Sequence, residues 1–205
     1  MKRALLLSTF FCVTSSVGWG STCSPGTMAS YLGAAPCSIG SLTFSNFSYT
    51  PAGTAPGAAA VKVTPDGLGF QFTGAFDAGP GETADGLIGF TVSGAISDHL
   101  FASMGGYGYS GDATVSVKES VSSGAALSLF SNSGGTVEEG ALSFPPLRSL
   151  TVTEAIAVNG GLTGGASLSQ SVDQFAATEP GSILLFASGL LPLAGYIRRR
   201  QRKAP

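Results

Sequence analysis

Val61-Lys62-Val63-Thr64-Pro65-Asp66-Gly67-Leu68-Gly69-Phe70-Gln71-Phe72-Thr73-Gly74-Ala75-Phe76 is the stretch that decides the fold class. Val61 and Val63 alternate with Lys62 and Thr64. Leu68, Phe70 and Phe72 alternate with Gly69 and Gln71, and Phe76 falls in the same phase. A period of two places one set of side chains on each face of a strand. Asp66-Gly67 is a turn dipeptide between the two runs, at a spacing that suits a hairpin.

The pattern extends outward in both directions. Leu42 and Phe44 alternate with polar residues, and Phe47 and Tyr49 resume the alternation after a one-residue slip, as a β-bulge produces. Further runs are Ile88-Phe90-Val92-Ile96, Ala113-Val115-Val117, Leu127-Leu129, Leu150-Val152 and Ile156-Val158. Most are bounded by Gly, Pro, Asp, Asn or Ser. Asp85-Gly86 reads as a second turn dipeptide. Gly105-Gly106-Tyr107-Gly108, Gly134-Gly135 and Gly160-Gly161 read as loops, and Pro145-Pro146 ends one strand and positions the next. Ser169 to Ala177 is a last strand or a polar stalk. The prediction is an all-β domain of about eight to ten strands, an antiparallel β-sandwich or jelly roll.

Composition agrees. Thirty of the 205 residues are glycine, and only 11% are charged. Long helices need a regular supply of Glu, Lys, Arg, Leu and Gln that this chain lacks. An apolar content of 43% argues for a packed core rather than disorder.

The two ends read as addresses. Residues 1–20 have the parts of a secretory signal peptide: Lys2 and Arg3, an apolar run from Ala4 to Val13, and small residues up to Gly20. Gly181 to Ile197 carries no charge and is followed by the basic cluster Arg198, Arg199, Arg200, Arg202 and Lys203. This is a transmembrane helix near the lower length limit, with the basic residues as a stop-transfer signal on the cytoplasmic side. The stretch 21–177 remains for one folded domain. It holds three basic and eleven acidic residues, a net charge of −8, which excludes a nucleic-acid backbone as partner.

Thr178-Glu179-Pro180, a short apolar helix and a terminal arginine cluster follow in that order over residues 178–203. The arrangement resembles the PEP-CTERM sorting signal of exported bacterial proteins, with Thr178 at the place of the first proline. The resemblance implies a membrane transpeptidase, exosortase, as processing partner, and a cell-envelope setting with exopolysaccharide. It implies no fold for the attached domain. Gly26 to Tyr49, with Ala34-Ala35-Pro36-Cys37-Ser38-Ile39-Gly40 and Leu42-Thr43-Phe44-Ser45-Asn46-Phe47, is similar to the start of a group of exported proteins bearing this signal. That similarity brings no established activity with it.

Few residues suggest chemistry. Cys12 lies in the signal, which leaves Cys23 and Cys37 as an even pair; a disulfide is the natural reading in an exported chain. His99, beside Asp98, is the single histidine, and no Gly-x-Ser-x-Gly elbow supplies it with a nucleophile. It reads as a loop or strand-end residue, and no catalytic residue is assigned. Asp77, Glu82 and Asp85 share a glycine-rich loop that could offer oxygens to calcium; its bland reading is a solvated hairpin. Glu138-Glu139 point to opposite faces of a strand and form no acid/base pair. Tyr107 and Tyr109 are a stacking platform or strand-edge residues. No cofactor is implied. The chain therefore reads as an exported, inner-membrane-anchored or exosortase-released envelope or matrix protein, non-enzymatic, with a structural or interaction role. A carbohydrate- or calcium-dependent binding module is the alternative.

Overall fold

The computed structural model describes residues 21–177. The signal segment, the sorting motif Thr178, Glu179 and Pro180, the apolar run and the basic cluster lie outside the described residues. Among the described residues, no helix is long and apolar enough to cross a membrane.

The described chain is all-β and antiparallel apart from one short parallel pair. In chain order the strands are β1 (Ser21–Thr22), β2 (Gly26–Thr27), β3 (Cys37–Ile39), β4 (Leu42–Gly53), β5 (Lys62–Asp66), β6 (Gly69–Ala78), β7 (Thr83–Gly105), β8 (Gly108–Ser110), β9 (Thr114–Val121), β10 (Ala126–Asn132), β11 (Gly135–Val137), β12 (Glu139–Ser143), β13 (Leu147–Asn159) and β14 (Gly165–Ala177). A single helical turn, α1 (Met28–Tyr31), follows β2 and is closed by a capping box between Thr27 and Ser30.

The architecture is sandwich-like, and β7 belongs to both layers. Its first half lies between β4 and β13, and β9, β10 and β11 extend that layer beyond β13. Its second half lies between β12 and β14, and β6, β5 and β2 extend the other layer. The change of layer falls between Ser93, paired with Thr43 and Ser149, and Ile96, paired with Leu147 and Ala177. Gly94 sits at that corner with φ 132°, and a Cβ there would meet Ser41 O at 2.7 Å. Only glycine fits such a backbone approach.

Apolar residues of the inner faces meet between the layers. Phe44 and Phe90 of the first layer pack on Phe70, Phe72 and Phe175 of the second, with Phe44 and Phe70 edge to face at 4.8 Å between ring centroids. Tyr31 of α1 closes the cluster against Phe47 and Phe70, and its hydroxyl donates to Ser24 O.

The predicted hairpin is present. Asp66 pairs with Gly69 across a two-residue loop, Gly67-Leu68, with Gly67 at φ 57°, where a type II′ turn takes glycine. The predicted slip is also present: the register of β4 on β7 shifts between Ser45 and Ser48, and Asn46 adopts φ 56°. Pro145-Pro146 separates β12 from β13, and Ser169 to Ala177 belongs to β14.

Two sequence expectations are corrected. Asp85-Gly86 is not a turn; both residues lie inside β7, paired with β13 on one side and β4 on the other. Glycine is needed at 86 because a Cβ would stand 2.8 Å from the Phe76 ring. His99 is not in a loop or at a strand end but within the second half of β7, opposite Ser143.

The Cys23–Cys37 disulfide is formed, with a Cα–Cα distance of 4.9 Å. It joins the ends of the loop that carries α1 and its Tyr31 anchor. Closing a loop of about this length contributes roughly 3 kcal/mol by restricting the unfolded chain. Replacing both cysteines by serine should therefore lower unfolding free energy by about 2–4 kcal/mol in denaturant titrations. Phe70→Ala should cost about 3–5 kcal/mol, as it opens the aromatic cluster from the centre.

Candidate functional site

Two features of the second layer have the composition of a site, one on each face of β14. On the outer face, strand register builds a row of side chains across five strands: Asp66 on β5, Gly69 on β6, Gln174 on β14, Phe101 on β7 and Ala141 on β12. Gly69 contributes no side chain, so Gln174 Nε2 reaches over it to donate to Asp66 Oδ2 at 3.0 Å. A neighbouring row runs through Val172, Ser103 and Glu139. Together with Gln170 the residues of these rows, Gly69 excepted, line a groove of about 660 Å3. A second depression of about 440 Å3 shares Ser103 and Glu139 and extends toward Thr136 and Glu138.

Phe101 is 49% exposed in this groove, a large ring that shares the lining with Asp66, Ser103, Glu139, Gln170 and Gln174. His99 stacks on it, with ring centroids 6.0 Å apart and planes 16° from parallel. Asp98 Oδ1 accepts from His99 Nδ1 at 2.6 Å and from Ser97 Oγ at 2.9 Å. These two bonds, His99 first, hold the Asp98 carboxyl below its usual range. Both bonds are made to Asp98, so the imidazole is oriented by its neighbouring acid.

The inner face carries the second feature. Glu119 on β9 and Glu154 on β13 are direct register partners, and Asp173 projects from β14 in the facing layer. All three are fully buried, and one oxygen of each lies within 4.8 Å of the others. Burial drives all three carboxyls up, with neighbouring negative charge adding to the effect on Glu119 and Asp173. Glu154 is pushed up to about 7 by burial, partly offset by Ser171 beside it.

Sequence reasoning did not single out these three acids, although a signal existed. Glu119 follows Val115 and Val117 in their own phase. Glu154 fills the gap between Leu150-Val152 and Ile156-Val158, again in phase. An acid on the apolar phase of a strand is an acid in the core. By contrast, Asp77, Glu82 and Asp85 are not brought together as a ligand group; Glu82 instead accepts from Gly79 N at 3.1 Å within the loop. Tyr107 donates its hydroxyl to Glu138, and Tyr109 lies on β8 against β14, so the two tyrosines serve strand-edge contacts.

No family model matches the chain, and no curated protein is significantly similar to it. Among solved structures it is similar to TmCBM61 in complex with β-1,4-galactotriose, at 11% identity and a TM-score of 0.35, over 62% of this chain and 88% of that one. It is also similar to the enzymatically active domain of bacteriophage CBA120 tailspike protein 4, at 17% identity and a TM-score of 0.31, over 64% of this chain and 20% of that one. At these scores neither likeness decides fold or function.

The acid cluster has a pH consequence. In the unfolded chain these carboxyls titrate near pH 4, whereas in the fold their pKa values are raised. Their contribution to stability is complete below the unfolded values and is lost as pH rises through the folded ones, about 7 for Glu154. In EDTA, the melting temperature should fall between about pH 4 and pH 8. A flat or rising profile would contradict three raised carboxyl groups in the core.

Proposed function

We propose that this chain is an exported, non-enzymatic surface module that binds a neutral polysaccharide in the outer groove of the second layer. The observation that carries this reading is the exposed Phe101 ring, backed by His99 and flanked by Gln170, Gln174, Asp66, Ser103 and Glu139. An aromatic face takes the apolar face of a sugar ring, and fixed amides and carboxylates beside it match sugar hydroxyls. The net charge of −8 over residues 21–177 disfavours anionic glycans and nucleic acid. A groove open along the sheet suits a chain better than a small enclosed ligand.

Delivery rests on the ends of the sequence. The signal-like residues 1–20 direct export, and residues 178–203, with the Thr178-Glu179-Pro180 motif, hold the domain outside the inner membrane or pass it to an exosortase for release. The Cys23–Cys37 disulfide supports an oxidising compartment. The domain then links its cell to exopolysaccharide of the envelope or matrix.

The test is binding of the full-length chain to galactan, xylan and dextran by affinity electrophoresis and calorimetry. At least one neutral glycan should bind, and Phe101→Ala should weaken it about tenfold or more without lowering the melting temperature. Equal binding by wild type and F101A, or no binding to any neutral glycan, would remove the groove from consideration.

A further inference from the structure

Seven side-chain oxygens in the described residues are both buried and without a hydrogen-bond partner, and all seven belong to one place. They are both carboxylate oxygens of Glu119, Glu154 and Asp173, and the hydroxyl of Ser171. Ser171 and Asp173 share the inward face of β14, and Ser171 is 2% exposed. It lies close enough to Glu154 to pull that carboxyl's pKa down, yet outside hydrogen-bonding geometry.

Such a cluster needs compensation. Taking one unpaired carboxylate out of water is costly, and three side by side are worse. Among the described residues no Lys or Arg is buried beside it: Lys62, Lys118 and Arg148 are the basic residues between 21 and 177, and all three are exposed. As carboxylates, none of these oxygens has a hydrogen-bond donor against it. Three carboxylates within 4.8 Å of one another and a neighbouring hydroxyl, all buried and none with a hydrogen-bond partner, make an all-oxygen donor set for an ion.

We propose that Glu119, Glu154, Asp173 and Ser171 form an internal calcium site that ties the two layers together. An all-oxygen donor set selects a hard cation. Calcium takes six to eight oxygens at about 2.3–2.6 Å, so its ligands stand no more than roughly 5.2 Å apart, and one oxygen of each carboxylate lies within 4.8 Å of the others, inside that limit. Magnesium keeps several waters in a tight octahedron, and this site is closed to solvent. The ion joins β9 and β13 of one layer to β14 of the other, directly beneath the strand that presents Gln170, Val172 and Gln174 to the groove. The site stands independently of what the groove binds.

Because the site is enclosed, the ion enters during folding. The full-length chain, disulfide intact, is unfolded in guanidinium with EDTA, freed of metal, and refolded with calcium, with magnesium or with EDTA alone. Retained metal is counted by elemental mass spectrometry after desalting, and melting is followed by circular dichroism. The expected result is one calcium per chain and a melting temperature about 10 °C higher in calcium than in EDTA, at calcium well above its dissociation constant. Magnesium should not reproduce the rise. The triple variant E119Q/E154Q/D173N, which mimics the protonated acids in shape, should retain no calcium and melt alike in calcium and EDTA. Ser171→Ala, a milder change, should weaken calcium about tenfold and keep the fold. Wild-type chain that retains no calcium and melts alike in calcium and EDTA would overturn the proposal. So would an equal rise in magnesium, or undiminished calcium retention by the triple variant, which would place the ion elsewhere.

Discussion

The structure depends on one strand being hydrogen-bonded on both sides in two different layers. β7 runs for 23 residues, pairs with β4 and β13 along its first half, and pairs with β12 and β14 along its second. A strand so placed cannot slip in register without breaking four ladders at once. The corner at Gly94 lets it change layer without leaving backbone groups unpaired over a long loop. The aromatic cluster of Phe44, Phe90, Phe70, Phe72 and Phe175 then fills the angle that β7 opens.

The alternation of side chains along β14 connects the core to the surface. Ser171 and Asp173 point inward to Glu154 and Glu119, while Gln170 and Gln174 line the outer groove with Val172 at its floor. A single strand thus carries a polar cluster inside and lines the groove outside. Asp173 has Phe70 as its register partner on β6, so the acid cluster sits against the aromatic core rather than at a solvated end. That position makes its charge state a matter of stability for the whole domain, because both layers contribute to it.

Much of the fold was legible because its signals are local. The phase slip near Phe47 was a bulge, the Asp66-Gly67 dipeptide marked a two-residue hairpin, and Pro145-Pro146 broke one strand from the next. Asp85-Gly86 misled because dipeptide chemistry is a local preference, whereas here two flanking strands and the Phe76 ring impose an extended backbone. The candidate sites were less legible. Phe101 lies between buried Leu100 and Ala102, and nothing adjacent to it announces an exposed ring in a groove. The loop of Asp77, Glu82 and Asp85 drew attention through proximity in sequence, and within it Glu82 accepts from Gly79 N instead.

The sequence by itself determined the alternation that makes strands, the turns that join them, the even cysteine pair and the charge balance of the domain. Each rests on neighbours within a few residues, where periodicity and backbone preference act directly. Only the tertiary structure decided which strands face one another, and so that Glu119, Glu154 and Asp173, far apart in the chain, share a few ångströms of buried space. It alone decided that Asp66, Gln174 and Phe101 stand in one row. Register and layer packing are properties of the assembled sheet, set by the summed burial of every strand, and no single segment carries them.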